Sequence, residues 1–191
     1  VKADTGTFAE QVVKVTIAGT NTAPEVKTTE GSVTEDTTLT ATGFVNIVDS
    51  DDATGFRYSF EDGSLRKVTD YGTVTLDSNS GKYTYTLNNN SLVVQQMGAA
   101  TEHKEDFAIK VTDPHGATGT GQLSIVVHGT NDAPVITASS YDAEHKGGTF
   151  AFSDADNGDI HTLSVNIGGV SAIAVKDSAS DAYIAHTQIG D

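Results

Sequence analysis

Carboxylates gathered in short clusters are the residues of this sequence whose type and spacing could do chemistry. Asp49-Ser50-Asp51-Asp52 and Asp154-Ala155-Asp156-Asn157-Gly158-Asp159 each contain an Asp-x-Asp pair, in which alternate residues of a turn can aim two carboxylates at one ion. Glu35-Asp36, Asp113, Asn21 and the pair Asn131-Asp132 supply further side-chain oxygens. An all-oxygen donor set of this kind suits a hard dication. Ca²⁺ takes roughly six to eight oxygens in a flexible geometry, whereas Mg²⁺ demands a tight octahedron and holds its waters. The run from Asp154 is not an EF-hand loop, because the twelfth position, where a bidentate Glu is needed, holds Val165. With no cysteine in the chain, a thiolate site and a disulfide framework are both excluded.

Catalytic chemistry has little to stand on. His103, His115, His128, His145, His161 and His186 are scattered, with no pair at ligand spacing on one element, and they read as solvated loop or edge histidines. Neither a nucleophile elbow nor a zinc motif is present. The chain is therefore not read as an enzyme. Its net charge of −15 and pI near 4.5 argue against nucleic acid as a partner, since phosphate binding needs a basic surface. No apolar run approaches the length of a membrane span, so membrane insertion is not expected.

The elements that must position these carboxylates are set out by a repeat. Gly19-Thr20-Asn21-Thr22-Ala23-Pro24 returns as Gly129-Thr130-Asn131-Asp132-Ala133-Pro134, 110 positions later, and Val1 to Pro24 lies without a gap against Val111 to Pro134. Each copy has the form of a linker: Gly ends a strand, Asn and Asp favour a turn, and Pro bars a ladder hydrogen bond as the next strand begins. Residues 1–24 accordingly read as the last strand, Val12 to Ile17, and linker of a preceding repeat. Residues 25–134 read as one complete repeat, and 135–191 as a partial following one.

Within the complete repeat, short segments alternate at period two between Gly, Asp and Asn turns. They include strands within Glu25 to Thr29, Thr38 to Val48, Phe56 to Phe60, Asp106 to Thr112 and Gly121 to Val127, and a hairpin of Gly72–Leu76 with Lys82–Leu87. Glu30 to Asp36 carries turn residues, and one or two helical turns are expected between Asn88 and Lys104. This pattern calls for an all-β fold, a tandem of Ig- or cadherin-like antiparallel β-sandwiches with Greek-key connections.

Sandwich topology turns the loops into sites. A chain that comes in at one end of a sandwich and leaves at the other places its turns alternately at the two ends. Asp49, Asp51, Asp52 and Asp113 then fall at the upstream end beside Asn21. Glu35 and Asp36 fall at the downstream end with Asn131 and Asp132, and Asp154 and Asp156 of the following unit face back toward that joint. A cation binding there would be Ca²⁺, and at the upstream joint Thr22 stands where the downstream joint has Asp132.

The order of motifs then resembles a known family. A Val-Thr-Asp strand end, Gly-Thr-Asn-Asp-Ala-Pro, Thr-Glu-Asp-Thr, Asp-x-Asp, Tyr-Gly-Thr-Val-Thr-Leu-Asp and Gly-Lys-Tyr-Thr-Tyr-Thr-Leu are similar to the VCBS repeats of bacterial surface proteins, the cadherin-like tandem modules of RTX-type adhesins. The resemblance covers Glu25 to Pro134 fully and the flanks in part. It implies a secreted, extracellular or cell-surface location, adjacent repeats of the same chain as partners, host or biofilm ligands met through other domains, and calcium at the joints. It also implies that Glu35, Asn131, Asp132, Asp154 and Asp156 share ions, as in cadherin. Two other readings compete with a calcium-stiffened stalk. One is a sugar- or protein-binding sandwich displaying Tyr58, Tyr71, Tyr83 and Tyr85. The other is a filament subunit that donates Val12 to Ile17 head to tail.

Overall fold

The computed structural model describes residues 11–142, 147–167, 170–176 and 183–184. Ten strands and one helical turn make up residues 25–128: β1 (Glu25–Val26), β2 (Thr29–Thr34), β3 (Thr40–Phe44), β4 (Ile47–Val48), β5 (Arg57–Phe60), β6 (Arg66–Val68), β7 (Gly72–Leu76), β8 (Lys82–Leu87), α1 (Leu92–Gln95), β9 (Glu102–Thr112) and β10 (Thr118–His128). They form two four-stranded sheets, ordered β2-β10-β9-β5 and β3-β8-β7-β6, with β1 paired to β4 alongside. Inward-facing residues alternate along every long strand. Phe60, Val74, Tyr85, Ile109, Leu123 and Ile125 fill the space between the sheets, each such side chain contributing about 1.5–3 kcal/mol relative to exposure. The sandwich read from the sequence is the fold observed.

Two differences from the sequence reading have physical causes. Residues 30–34, read as carrying turn residues, belong to a strand: β2 runs parallel to β10 over six register pairs from Leu123↔Thr29 to His128↔Thr34. Gly31 and Ser32 hide the strand from propensity, yet Val33 is fully buried and Tyr83 packs closely over Gly31. Conversely, Val12 to Ile17 alternates as a strand should but forms none. Val12, Val13, Val15 and Ile17 are 76–93% exposed, and no strand of the described residues pairs with them to satisfy the backbone.

The chain crosses the upstream half of β10 at close quarters. A β-carbon on Gly119 would lie 1.8 Å from the Pro24 carbonyl oxygen, so only glycine lets the linker pass there. The following unit contributes β11 (Val135–Asp142) paired with β12 (Gly147–Ser153), and β13 (Leu163–Ile167), β14 (Val170–Lys176) and β15 (Tyr183–Ile184) in a second sheet. The Asp154 loop follows β12, as the Asp49 loop follows β4. The run Asp177-Ser178-Ala179-Ser180-Asp181-Ala182, which by its sequence corresponds to the hairpin turn at Asp77 in the complete repeat, lies outside the described residues. No helix among the described residues is long and apolar enough to cross a membrane.

Candidate metal centres at the two joints

At the downstream joint Glu35 is the pivot. It follows β2 and prolongs the ladder by donating its backbone N–H to the His128 carbonyl at 2.9 Å. The tight turn from Thr34 to Thr38 puts Asp36 in the left-handed region, at φ 58°, which Asp tolerates better than most side chains. The Glu35 side chain is fully buried. Its Oε1 accepts from Gln95 Nε2 at 3.0 Å and its Oε2 from the Thr130 N–H at 3.1 Å. Burial raises its pKa above 4.5, and Asp132, Asp36 and Asp156 add to the rise against the opposing hydrogen bond from Thr130.

Asp132 donates its backbone N–H to Asp156 Oδ2 at 2.7 Å. Burial, then the charges of Asp36, Asp156 and Asp154, raise the pKa of its own carboxyl. Asp156 in turn donates its N–H to Asp154 Oδ1 at 3.0 Å, and Asp154 Oδ2 meets His161 Nε2 at 2.7 Å. That histidine contact is the main cause holding the Asp154 pKa low. One carboxylate oxygen from each of Asp154, Asp156 and Asp159 lies within 4.8 Å of the others. Asp156 is only 6% exposed, and its Oδ1 is buried with no hydrogen-bond partner. Asn131 is exposed and donates from Nδ2 to the Asp132 carbonyl, while Asp36 exchanges hydrogen bonds with Asn89.

The upstream joint reuses the same hydrogen bonds. Thr22 donates its N–H to Asp51 Oδ2 at 2.7 Å, as Asp132 does to Asp156, and Asp51 donates its N–H to Asp49 Oδ1 at 2.8 Å, as Asp156 does to Asp154. Here, though, the side chain at the linker position is a hydroxyl, which donates to Asp51 Oδ2 at 2.6 Å and is the main cause of that carboxyl's lowered pKa. Buried Asp113 accepts from Asn21 Nδ2 on Oδ2 at 2.7 Å and from the N–H groups of His115 and Ala117 on Oδ1. Burial works to raise its pKa, and these donors outweigh it. Asp52, Asp113 and His115 form a second potential ligand group within 4.8 Å, and Asp49 Oδ2 is buried without a hydrogen-bond partner.

All eleven residues that topology assigned to the two joints therefore lie there, six downstream and five upstream. Asp159, Gln95, His115 and His161 were not singled out. Asp159 sits in the acidic run itself, so its signal was there to use. The histidines gave none: His115 approaches Asp52 at 3.1 Å and His161 approaches Asp154 only because the loops fold that way. His103 stacks on Tyr71 at 3.7 Å and His128 pairs with Glu102, while His145 and His186 carry no described side chain. The tyrosines offered as a binding surface are spent on the core, with Tyr58, Tyr83 and Tyr85 buried and Tyr71 packed against it.

The profile of the bacterial cadherin-like domain matches residues 21–129. This chain belongs to that family. Domains of the bacterial cadherin-like family are extracellular and non-enzymatic in general, and form tandem arrays with their neighbours. Solved structures agree on the fold. Extracellular cadherin domains 3–6 of protocadherin gammaB7 match at 16% identity and a TM-score of 0.51, covering 85% of this chain and 38% of that one. Cadherin domains 3–6 of protocadherin gamma B2 match at 14% identity and a TM-score of 0.50, with the same coverage. The bacterial cadherin-like chain thus spans well under half the length of these relatives. No curated protein matches it significantly.

Proposed function

We propose that this chain is a stretch of spacer repeats from a secreted bacterial surface adhesin, stiffened at its joints by Ca²⁺. One repeat would occupy residues 25–134, preceded by the last strand and linker of another and followed by part of a third. The observation that carries this reading is the buried, unpartnered Oδ1 of Asp156, set among the carboxylates of Asp154 and Asp159 and close to Asp132 of the linker and to Glu35 after β2. A buried carboxylate oxygen without a donor is costly unless something positive meets it. Three further features fit a cation: all-oxygen donors, burial together with mutual repulsion that raises the pKa of Glu35 and Asp132, and ligands drawn from both units.

In this reading Glu35, Asp36, Asn131, Asp132, Asp154, Asp156 and Asp159 would hold Ca²⁺ downstream, and Asn21, Asp49, Asp51 and Asp113 would serve upstream. Bound calcium supplies positive charge that cancels the repulsion. The protein's own part is to fix the loops: the Asp132 N–H orients Asp156, the Asp156 N–H orients Asp154, and Thr130 and Gln95 hold Glu35. Exposed Val12 to Ile17 would pair with the sheet of the preceding repeat. Extracellular calcium modules bind with Kd of about 10⁻⁴–10⁻³ M, so the stalk would be stiffer outside the cell than where calcium is scarce.

The test is thermal unfolding and small-angle scattering in millimolar Ca²⁺, in chelator, and in Mg²⁺. A Ca²⁺-specific rise in Tm with an elongated, stiffer particle is expected. Identical melts and scattering in all three conditions would overturn the proposal.

A further inference from the structure

The segment from Gln95 to Gly98 touches the following unit without the help of any candidate ligand's charge. The Asn157 N–H donates to the Gln96 carbonyl at 3.2 Å. Gly98 lies directly against the acidic loop: a β-carbon there would sit 3.7 Å from Asp159 Oδ1 and 3.9 Å from Asp156 Cγ. The segment is itself firmly anchored. Val94 and Met97 are buried in the sandwich core, and Thr101 closes the turn through its N–H and hydroxyl, both donated to the Gly98 carbonyl. It is also seated on the linker, because a β-carbon on Gly129 would fall 2.1 Å from the Met97 carbonyl oxygen. The glycine opening the repeated Gly-Thr-Asn-Asp-Ala-Pro motif is thus required by this backbone contact.

We infer that residues 95–98 form a dock for the Asp154–Asp159 loop of the next repeat, giving the joint a preferred bend before any cation binds. This deepens the calcium reading of the same joint but stands on different contacts. A short helical turn rooted in one core and hydrogen-bonded to the neighbour's backbone restricts the hinge, and Gln95, by holding Glu35, couples the dock to the carboxylate cluster. The cation then stiffens an orientation that already exists.

The absence of cysteine lets spin labels be placed at will. Thr42→Cys on the middle unit and Ser164→Cys on the next, both exposed positions, give one inter-unit distance by pulsed electron resonance of the whole chain. In chelator a narrow distance distribution is expected. It should be lost in Gly98→Leu, which wedges the contact apart, and in Asn157→Pro, which removes the donor, with the Tm of the middle unit retained in both. A distribution in chelator as broad for the unsubstituted chain as for both variants overturns the dock. Absence of any Ca²⁺ effect on Tm overturns the calcium reading instead, since the dock is judged in chelator alone.

Discussion

A hydroxyl at position 22 and a carboxylate at position 132 occupy equivalent places, present the same backbone N–H to an Asp-x-Asp loop, and leave opposite electrostatics behind them. The hydroxyl satisfies Asp51, whereas the carboxylate crowds Asp156 and Glu35. Replacing Asp132 with Thr should therefore raise Tm in chelator and shrink the gain that Ca²⁺ gives. About 1 kcal/mol of relieved repulsion corresponds to roughly 2–4 °C in a chain of this size, which differential calorimetry resolves. The pH dependence has a defined sign. Glu35 and Asp132 sit above their ordinary values of 4.5 and 3.8, so without cation they penalise the folded state at neutral pH, and the penalty lifts as pH falls through their folded-state values. Asp51, Asp113 and Asp154 are held below 3.8, so what they contribute is present above that value and lost as pH drops further. In chelator, denaturant melts should show stability rising from neutral toward pH 4.5 and then falling below 3.8. In saturating Ca²⁺ acid should only destabilise, because protons compete for the ligands. Away from the joints, Tyr85 donates its hydroxyl to the buried Glu105 carboxylate. Tyr85→Phe, leaving that carboxylate without its donor, should cost about 1–3 kcal/mol in a denaturant melt.

At the scale of elements, legibility followed side-chain patterning. The β7–β8 hairpin was plain because Val74, Leu76, Tyr83 and Tyr85 alternate inward around a turn whose Gly81 takes a positive φ. β6 drew no signal, since Arg66 and Val68 are exposed and only Lys67 turns inward, toward Asp62 and Phe60. β2 was obscured by Gly and Ser because a parallel partner and a covering tyrosine, both distant in sequence, stabilise it. Val12 to Ile17 shows the converse, a strand pattern without a sheet. The carboxylate groupings were readable because topology alone assigns each turn to an end of the sandwich. The histidines and Gln95 were not, because their contacts depend on loop shape. The glycines of β10 carry their own prediction: Gly119→Ala must displace the Pro24 carbonyl, and a loss of about 1–3 kcal/mol is expected by chemical denaturation.

The whole molecule carries a net charge of −15, and the joints concentrate it. Self-repulsion among exposed charges is screened within about 8 Å at physiological ionic strength. In chelator, Tm should therefore climb as NaCl is raised from low to moderate concentration, most steeply for the form without Ca²⁺. A Tm indifferent to salt would show that the acidic loops are independent of one another. The parallel pairing of β2 with β10 has a consequence of another kind. In the proposed stalk, tension would pull β2 from its Pro24 end and β10 from its Pro134 end, in opposite directions along two strands that lie side by side. Such a load slides the strands past each other, so the six-pair register shares the force instead of opening like a zipper one bond at a time. Each repeat would then fail late and abruptly when pulled, a property suited to a tether that must hold in flow.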